Sequence, residues 1–213
     1  GFNNTVSEII LRTDGKLLVG GLFGSYNGES ATRLALLNSN GSRDSSLQSV
    51  LPFTGNLLYD IELMPDGRII AGFDSNVSLN TVYVFDASGS FDQTTRAVAT
   101  AGAEVLDIAQ QADGKLIVVG KFQYSGNAAR RSVVRLNTDG SVDPTFVPSS
   151  FPSYQINAVA LAADGKIMLG GNSDPVLARL NSNGSNDSSF SNPYIFQNYS
   201  VRDLVVEPDG KLL

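Results

Sequence analysis

Short apolar runs alternate with a recurrent turn along the whole chain. The tripeptide Asp-Gly-Lys/Arg begins at Asp14, Asp66, Asp113, Asp164 and Asp209, at intervals of 52, 47, 51 and 45 residues. β-Prone segments flank the tripeptide, for example residues 9–11 and 17–19 in the first repeat. Asp-Gly between such segments predicts a β-hairpin, because glycine accepts a positive φ and aspartate tolerates it with a local hydrogen bond.

A second turn follows in each complete repeat, with the pattern apolar, Asn/Asp, any, Asn/Asp/Ser, Gly, Ser, any, Asp. It begins at Leu37, Phe85, Leu136 and Leu180. Three repeats place an apolar residue three positions after the final aspartate, namely Leu47, Phe146 and Phe190, whereas the second repeat has Thr95 there. Each repeat therefore predicts two hairpins, or about four short strands.

Four strands in a repeat of roughly 49 residues are typical of a β-propeller blade. We predict an all-β fold, a β-propeller built from tandem four-stranded blades. An open β-solenoid or β-roll is the alternative, although such coils usually repeat at shorter periods. The chain stops inside the second strand of the fifth repeat, so we expect a partial propeller or a fragment of a longer array. The predicted single domain spans residues 1–213, with units at about 1–52, 53–100, 101–151, 152–196 and 197–213.

Composition narrows the possible functions. The net charge of −6 disfavours nucleic-acid binding, which depends on Lys and Arg, and no apolar stretch is long enough for direct membrane insertion. Cys, His and Trp are absent, so thiolate and imidazole chemistry is excluded. No Gly-x-Ser-x-Gly elbow occurs. We therefore predict that the protein is not an enzyme, with a carboxylate pair for glycan processing as the remaining catalytic alternative.

The two turn patterns together, which we call the double signature, resemble the delta-60 repeat of large bacterial secreted and surface β-propeller proteins. The matching text is "DGKLLVGG … RLALLNSNGSRDSSL", "DGKLIVVGKF … VVRLNTDGSVDPTF" and "DGKIMLGG … LARLNSNGSNDSSF". The second repeat departs most, with Arg68 in place of lysine and Phe85-Asp86 in place of Leu-Asn. The resemblance implies a propeller, an extracellular or bacterial cell-surface location and long multi-module architectures, and it implies no catalytic residues.

Acidic residues open the first predicted strand of four repeats. They are Glu8, Asp60, Asp107 and Asp203, and the fourth repeat has Ala158 instead. If these strands are innermost, the carboxylates would surround one mouth of a central channel and could hold a cation such as calcium. The structural alternative is that each accepts backbone N–H groups where one blade meets the next. We expect no other cofactor.

The second turn also carries oxygens at alternate positions, which resembles a calcium loop. In the first repeat they belong to Asn38, Asn40, Ser42 and Asp44. Glycine directly follows the second of these oxygens rather than the third, and few of the side chains are carboxylates. Short polar side chains that bond the local backbone explain the pattern better, so we predict a structural turn.

The segment after the second strand varies most between repeats, and variable loops on a fixed scaffold commonly carry binding residues. The candidate ligand-binding residues are Phe23, Tyr26, Asn27, Phe122, Tyr124 and Asn127. Aromatic rings beside Asn could stack on a sugar, or the phenylalanines could instead cap the blade core.

These observations predict a non-catalytic binding or adhesion module that engages a protein or glycan at a bacterial cell surface. A structural spacer or display element in a larger surface or filamentous assembly is the alternative. A glycan-processing enzyme is a third hypothesis.

Overall fold

The computed structural model describes residues 1–47, 57–74, 80–98, 103–123, 131–148, 155–172, 176–191, 200–207 and 209–213. These residues form fifteen β-strands and no helix. Accordingly, no described helix is long and apolar enough to cross a membrane.

Four antiparallel sheets follow one another along the chain, and we call them blades 1 to 4. Blade 1 contains β1 (Val6–Leu11), β2 (Leu17–Gly21) and β5 (Leu34–Leu37), and a small hairpin of β3 (Ser25–Tyr26) and β4 (Glu29–Ser30) precedes β5. Blade 2 contains β6 (Leu58–Leu63), β7 (Ile69–Phe73), β8 (Asn80–Phe85) and β9 (Phe91–Val98). Blade 3 contains β10 (Glu104–Gln110), β11 (Leu116–Gln123) and β12 (Arg131–Leu136). Blade 4 contains β13 (Ile156–Leu161), β14 (Ile167–Gly171) and β15 (Leu177–Leu180).

The first strands of successive blades contact one another in chain order, β1 with β6, β6 with β10 and β10 with β13. This succession of separate sheets, joined side by side through their first strands, is the arrangement of consecutive propeller blades. The four sheets do not close into a ring, so the prediction of a partial all-β propeller is confirmed.

The number of strands per blade differs from the prediction. Only blade 2 has a fourth strand in its described residues, because blades 1, 3 and 4 replace that strand with single bridges such as Leu136 to Val142. In blade 3 the Oδ1 atom of Asp143 then accepts the N–H of Thr145 at 2.8 Å. This local turn directs the chain away from the ladder, and the next side chain, Phe146, becomes buried between blades 3 and 4.

The first turn of each blade lies at the predicted position, and the structure shows how its residues form the turn. In blade 1 the Gly15 N–H bonds the Arg12 carbonyl at 3.0 Å, and Gly15 has a φ of 78°. Asp14 does not itself adopt the left-handed conformation. Its carboxylate instead accepts the N–H of Lys16 at 3.1 Å. Aspartate therefore supports the turn by hydrogen bonding, and glycine alone supplies the positive φ.

An ion pair joins the two turns within a blade. Lys115 Nζ lies 2.8 Å from Asp143 Oδ2, and the matching pairs Lys16–Asp44 and Lys166–Asp187 measure 2.5 and 3.0 Å. The lysine of the first signature thus binds the last aspartate of the second signature. The two motifs, which the sequence presents as separate turns, form one unit of structure in these blades.

Second-strand glycines allow neighbouring blades to pack closely. A Cβ atom added at Gly72 of blade 2 would lie 2.5 Å from Val105 Cγ1 of blade 3. Gly20 and Gly170 occupy the same position in blades 1 and 4, and an added Cβ would meet the following repeat at 2.8 and 2.4 Å. The apolar first-strand residue of each following repeat therefore fills the space that the missing side chain leaves.

We expect the substitution Gly72→Ala to destabilise the protein by about 1–3 kcal/mol, because the added methyl group overpacks the contact with Val105. Urea unfolding of the single variants and of Gly72→Ala/Val105→Ala measures the coupling. The double variant should lose less stability than the sum of the two single variants. Additive losses would contradict direct packing between these two positions.

Candidate functional site

The acidic residues of the first strands link successive blades. Asp60 Oδ2 of blade 2 accepts the N–H of Ile108 in blade 3 at 2.8 Å. In the same way, Asp107 Oδ2 of blade 3 accepts the N–H of Val159 in blade 4 at 2.7 Å. Both contacts correspond to the structural alternative derived from the sequence, in which a carboxylate accepts backbone N–H groups at a blade junction.

At the other two junctions, the side chain directly before the acidic position makes the link. Ser7 Oγ of blade 1 donates to the carbonyl of Leu58 in blade 2 at 2.8 Å. Asn157 Nδ2 of blade 4 donates to the carbonyl of Val201 in the fifth repeat at 2.7 Å. Blade 4, whose acidic position is Ala158, therefore uses a neighbouring amide for the same purpose.

Burial and mutual repulsion make these carboxyl groups weaker acids than usual. Desolvation raises the pKa of Asp107 to about 7, and the negative charges of Asp203 and Glu62 add to the increase. The pKa of Glu62 is also raised to about 7, mainly by burial. Burial, with repulsion from Asp107 and Glu8, raises the pKa of Asp60 as well. The accepted N–H bonds oppose this change but do not outweigh it.

The four predicted metal-binding residues do not share one environment. Asp60 is buried and Asp107 half-buried, Glu8 is half-buried, and Asp203 is exposed. Among the residues that the structure describes, no group of three or more acidic side chains is arranged to hold a metal ion. Calcium binding at this position therefore stays a prediction.

The oxygens of the second turn bond donors within the turn itself. Asn40 Oδ1 accepts the N–H of Ser42 at 2.9 Å and its hydroxyl at 2.7 Å, and Asn38 Nδ2 donates to the same hydroxyl at 2.9 Å. Asp44 binds Lys16, and together with hydrogen bonds from Ser46 this contact lowers the pKa of the Asp44 carboxyl group. These oxygens serve the structural turn that the sequence favoured over a calcium loop.

The predicted aromatic residues of blade 1 form a cap over its outer face, the face directed away from blade 2. We define the cap as Phe2, Phe23 and the hairpin β3–β4. The Phe2 ring lies 4.2 Å from the Phe23 ring and 4.6 Å from the Tyr26 ring, and the Tyr26 hydroxyl donates to the Gly41 carbonyl at 2.7 Å. Phe23 is fully buried with Val19 of the sheet. This ring contributes to the core and offers no surface to a ligand.

The remaining loop candidates divide into three cases. Asn27 is exposed at the end of the hairpin with a φ of 49°, beside the exposed residues Gly28, Glu29 and Ser30. Phe122 is buried in the core between blades 2 and 3. Tyr124 and Asn127 lie outside the described residues. We call residues 27–30 the hairpin tip, which is the exposed part of this candidate site.

The raised pKa values predict an unusual dependence of stability on pH. An acid whose pKa is higher in the folded state binds more protons there, so the free energy of unfolding should fall as the pH rises from about 4 to about 7. We expect the melting temperature to decrease over this range, by about 2–4 °C for each kcal/mol lost. Asp107→Asn should flatten the decrease, because the amide oxygen can still accept the Val159 N–H without becoming charged.

Thermal unfolding followed by circular dichroism measures this effect. Asp164→Asn is the matched control, because its carboxylate is largely exposed at a first turn and its ion pair with Lys166 is long, at 3.7 Å. This variant should show the same decrease of melting temperature with pH as the wild-type protein. A melting temperature that rises between pH 4 and 7 in the wild-type protein would contradict the prediction.

A family model matches the repeats that carry the complete double signature. It is described as a domain of unknown function (DUF5122) β-propeller, and it matches residues 12–47, 111–146 and 162–190. Each matched segment begins at a first turn and ends on the buried or half-buried apolar residue that follows the second turn. These end residues are Leu47, Phe146 and Phe190.

Solved structures that resemble the chain are propeller-like proteins whose names indicate different functions. Virginiamycin B lyase from Staphylococcus aureus has a TM-score of 0.66 at 16% identity over 99% of this chain and 64% of its own. Regucalcin from Agrobacterium tumefaciens, a calcium-binding protein, has a TM-score of 0.59 at 15% identity over 96% of this chain and 65% of its own. The WD40 β-propeller domain of Doa1 has a TM-score of 0.56 at 17% identity over 83% of this chain and 50% of its own.

The chain thus spans between half and two thirds of the length of these three proteins. No curated protein sequence matches it. At these identities the structural likeness shows the fold alone. Taken with the repeat matches and the stacked four-blade architecture, it shows that this chain has a β-propeller fold built from tandem repeats.

Proposed function

We propose that this chain is a non-catalytic binding module of a bacterial secreted or surface protein of the delta-60 repeat type. In this proposal the blades are a rigid frame, and the segments between the second and third strands contact a protein or glycan. The observation that carries the proposal is the exposed hairpin tip, held on a fixed support.

The repeated polar residues of the described blades are engaged in the frame. Lys115 and Asp143 join the two turns of a blade, and Asp60 and Asp107 join one blade to the next. Polar groups that are already bonded within the fold are poorly placed to bind a ligand or to transfer protons. This leaves the non-repeating segments as the better support for recognition.

The hairpin tip has the features of a preorganised contact surface. Asn3 fixes its base, because Asn3 Oδ1 accepts the N–H groups of Gly24 and Ser25 at 2.9 and 3.0 Å. At the tip, the Glu29 side chain is 67% exposed and lies 3.5 Å from Arg43. A loop that is ordered before binding loses less conformational entropy when it binds. The exposed carboxylate and hydroxyl groups of Glu29 and Ser30 suit hydrogen bonding to a sugar or a peptide, and Asn27, whose Oδ1 accepts the Gly1 amino group, helps to hold the tip in place.

The extracellular location rests on the resemblance to delta-60 repeats. A chain without cysteine has no thiols to oxidise outside the cell, and the acidic surface is compatible with this location.

A structural spacer or display element is the second candidate, and a different observation favours it. Ile9 and Leu11 on the first strand of blade 1 are 53% and 70% exposed. The counterpart of Ile9 in blade 2, Ile61, is only 1% exposed, because blade 1 covers it, and the counterpart of Leu11, Leu63, is half-buried. The cap leaves this part of the outer face open, and another blade could cover it as blade 1 covers blade 2.

Binding through the hairpin tip predicts a loss of affinity in the variant Asn27→Gly/Glu29→Ala/Ser30→Ala. Glycine is chosen at position 27 because it tolerates the positive φ. Labelled wild-type protein on an array of bacterial and host glycans and surface proteins should give saturable binding, weakened at least about tenfold in the variant. Ser182→Ala/Ser188→Ala, at exposed positions of blade 4, is the control and should bind like the wild type. Equal binding of all three proteins would refute a role for the tip.

The spacer function predicts self-association through blade 1. Sedimentation velocity of the wild-type protein should show oligomers that grow with concentration, and Ile9→Asp/Leu11→Asp should remain monomeric because it places charge on the apolar contact. Val147→Asp is the matched control, because Val147 is 55% exposed on blade 3. A wild-type protein that stays monomeric at all concentrations would count against this candidate.

A further inference from the structure

Asparagine directly before glycine occurs three times in the chain, at residues 27–28, 40–41 and 183–184. This pair is chemically labile, because the backbone nitrogen of the glycine can attack the side-chain amide, and glycine has no Cβ atom to obstruct the approach. The first pair lies in the hairpin tip, and the other two lie in the second turns of blades 1 and 4. All three asparagines are exposed. The three pairs differ in how the backbone around the glycine is held.

At the hairpin tip, the pair forms the two-residue loop between β3 and β4. Asn27 and Gly28 have φ values of 49° and 85°, and Tyr26 pairs with Glu29 on either side of them. Positive φ at both central positions defines a type I′ turn. Among the backbone hydrogen bonds of the described residues, none involves the Gly28 N–H or the Asn27 carbonyl oxygen. The peptide group between these two residues can therefore rotate without breaking a hydrogen bond.

Rotation of this peptide group leads to the geometry that ring closure requires. Attack of the Gly28 nitrogen on Asn27 Cγ forms a five-membered ring, in which this nitrogen and Asn27 Cβ are eclipsed about the Cα–C bond. In an L-residue this condition is a ψ of about −120°, which is also the ψ of the first central residue of a type II′ turn. Types I′ and II′ both close a two-residue β-hairpin. The tip can thus reach the reactive geometry while β3 and β4 stay paired.

The second turns hold their Asn-Gly pairs in a different geometry. The Gly41 N–H donates to the Asn38 carbonyl at 2.8 Å, and the Gly184 N–H donates to the Asn181 carbonyl at 2.9 Å. The asparagine of each pair also accepts the N–H and hydroxyl groups of the serine two positions later. A bonded amide loses its proton only when the local structure opens. These two pairs are therefore protected in the folded chain.

A hydrogen-bond donor at the tip favours the attack on Asn27. Asn27 Oδ1 accepts the Gly1 amino group, and the Asn27 N–H donates to the Gly1 carbonyl at 2.9 Å. When the nitrogen attacks Cγ, negative charge develops on Oδ1, and a donor that is already in place stabilises this charge. Neither contact involves the peptide group that rotates, so both are compatible with the reactive geometry.

We propose that Asn27-Gly28 is a site of spontaneous deamidation in the folded chain. The Gly28 nitrogen loses its proton to solvent and bonds to Asn27 Cγ. The bond between Cγ and Nδ2 then breaks, and the leaving nitrogen takes up a proton and departs as ammonia. Water opens the resulting succinimide at either of its carbonyl groups, which gives aspartate or isoaspartate.

The reaction changes both the charge and the shape of the hairpin tip. It adds a carboxylate two residues before Glu29, whose side chain is 67% exposed, and isoaspartate also adds a methylene group to the main chain of the turn. The step consumes only water. It goes beyond the proposed function, because it depends on the geometry of the tip and not on a ligand.

Peptide mapping by mass spectrometry measures all three pairs in one sample of the whole chain. The protein is aged in mildly alkaline buffer, where more of the glycine amide is deprotonated, and chromatography separates isoaspartate from aspartate. Asn27 should convert at least about tenfold faster than Asn40 or Asn183, because only the latter two require opening of a bonded turn. In concentrated urea the three sites should convert at similar rates, since each asparagine then precedes an unrestrained glycine.

Two variants complete the experiment. Gly28→Asp places a Cβ atom beside the attacking nitrogen and retains a residue type that tolerates positive φ, so conversion of Asn27 should slow at least about tenfold. Ser30→Asp adds the same side chain elsewhere in the tip and should convert like the wild type. Equal rates at the three pairs in the folded chain would overturn the proposal, and so would an Asn27 that converts only in urea. The measurement uses no ligand, so it is independent of the array experiment on tip binding.

Discussion

Each sheet of this protein has two apolar faces, and neither face can be buried by the sheet itself. A blade is therefore stable only when both sides are covered, by neighbouring blades as in other repeat architectures or, on the outer face of blade 1, by the cap. The glycines on the second strands allow the neighbouring blade to come close enough to cover the sheet. At Gly20, Gly72 and Gly170 the absent side chain admits the first strand of the following repeat. Blade 3 has Val119 at this position, which packs with Ile156 of blade 4 in the same core.

Charged residues serve the same architecture in two opposite ways. Asp143 is desolvated, but its bonds with Lys115 and Thr145 lower its pKa, so it stabilises the fold in its ionised form. Asp107 is also desolvated, and repulsion from Asp203 and Glu62 adds to this cost, so its pKa is raised although two N–H groups bond it. The ion pairs hold the turns of one blade together, whereas the first-strand carboxyl groups connect neighbouring blades. The pKa of an aspartate is thus lowered at the second turn of the blade and raised on its first strand.

The departures of the second repeat belong together. Arg68 replaces a lysine, Val84 replaces the arginine found at position 135, and Thr95 replaces the apolar residue found at positions 47 and 146. Without an apolar side chain to insert between the blades, the segment after the second turn stays in the ladder and forms β9. Arg68 crosses to blade 3, where its Nη2 donates to the Thr138 carbonyl at 3.1 Å. One repeat has in this way exchanged a contact between blades for an additional strand.

The sequence by itself determined the hairpins and their order, because turn chemistry is local and the two signatures recur at nearly constant spacing. It also indicated that most repeated oxygens are structural, which the bonds of Asn40 and Asp60 support. Only the tertiary structure decided which side chains meet. Lys115 and Asp143 are 28 residues apart and become neighbours when the strands pair. The burial of Phe23 depends on how a loop folds over a sheet, so it cannot be derived from local spacing.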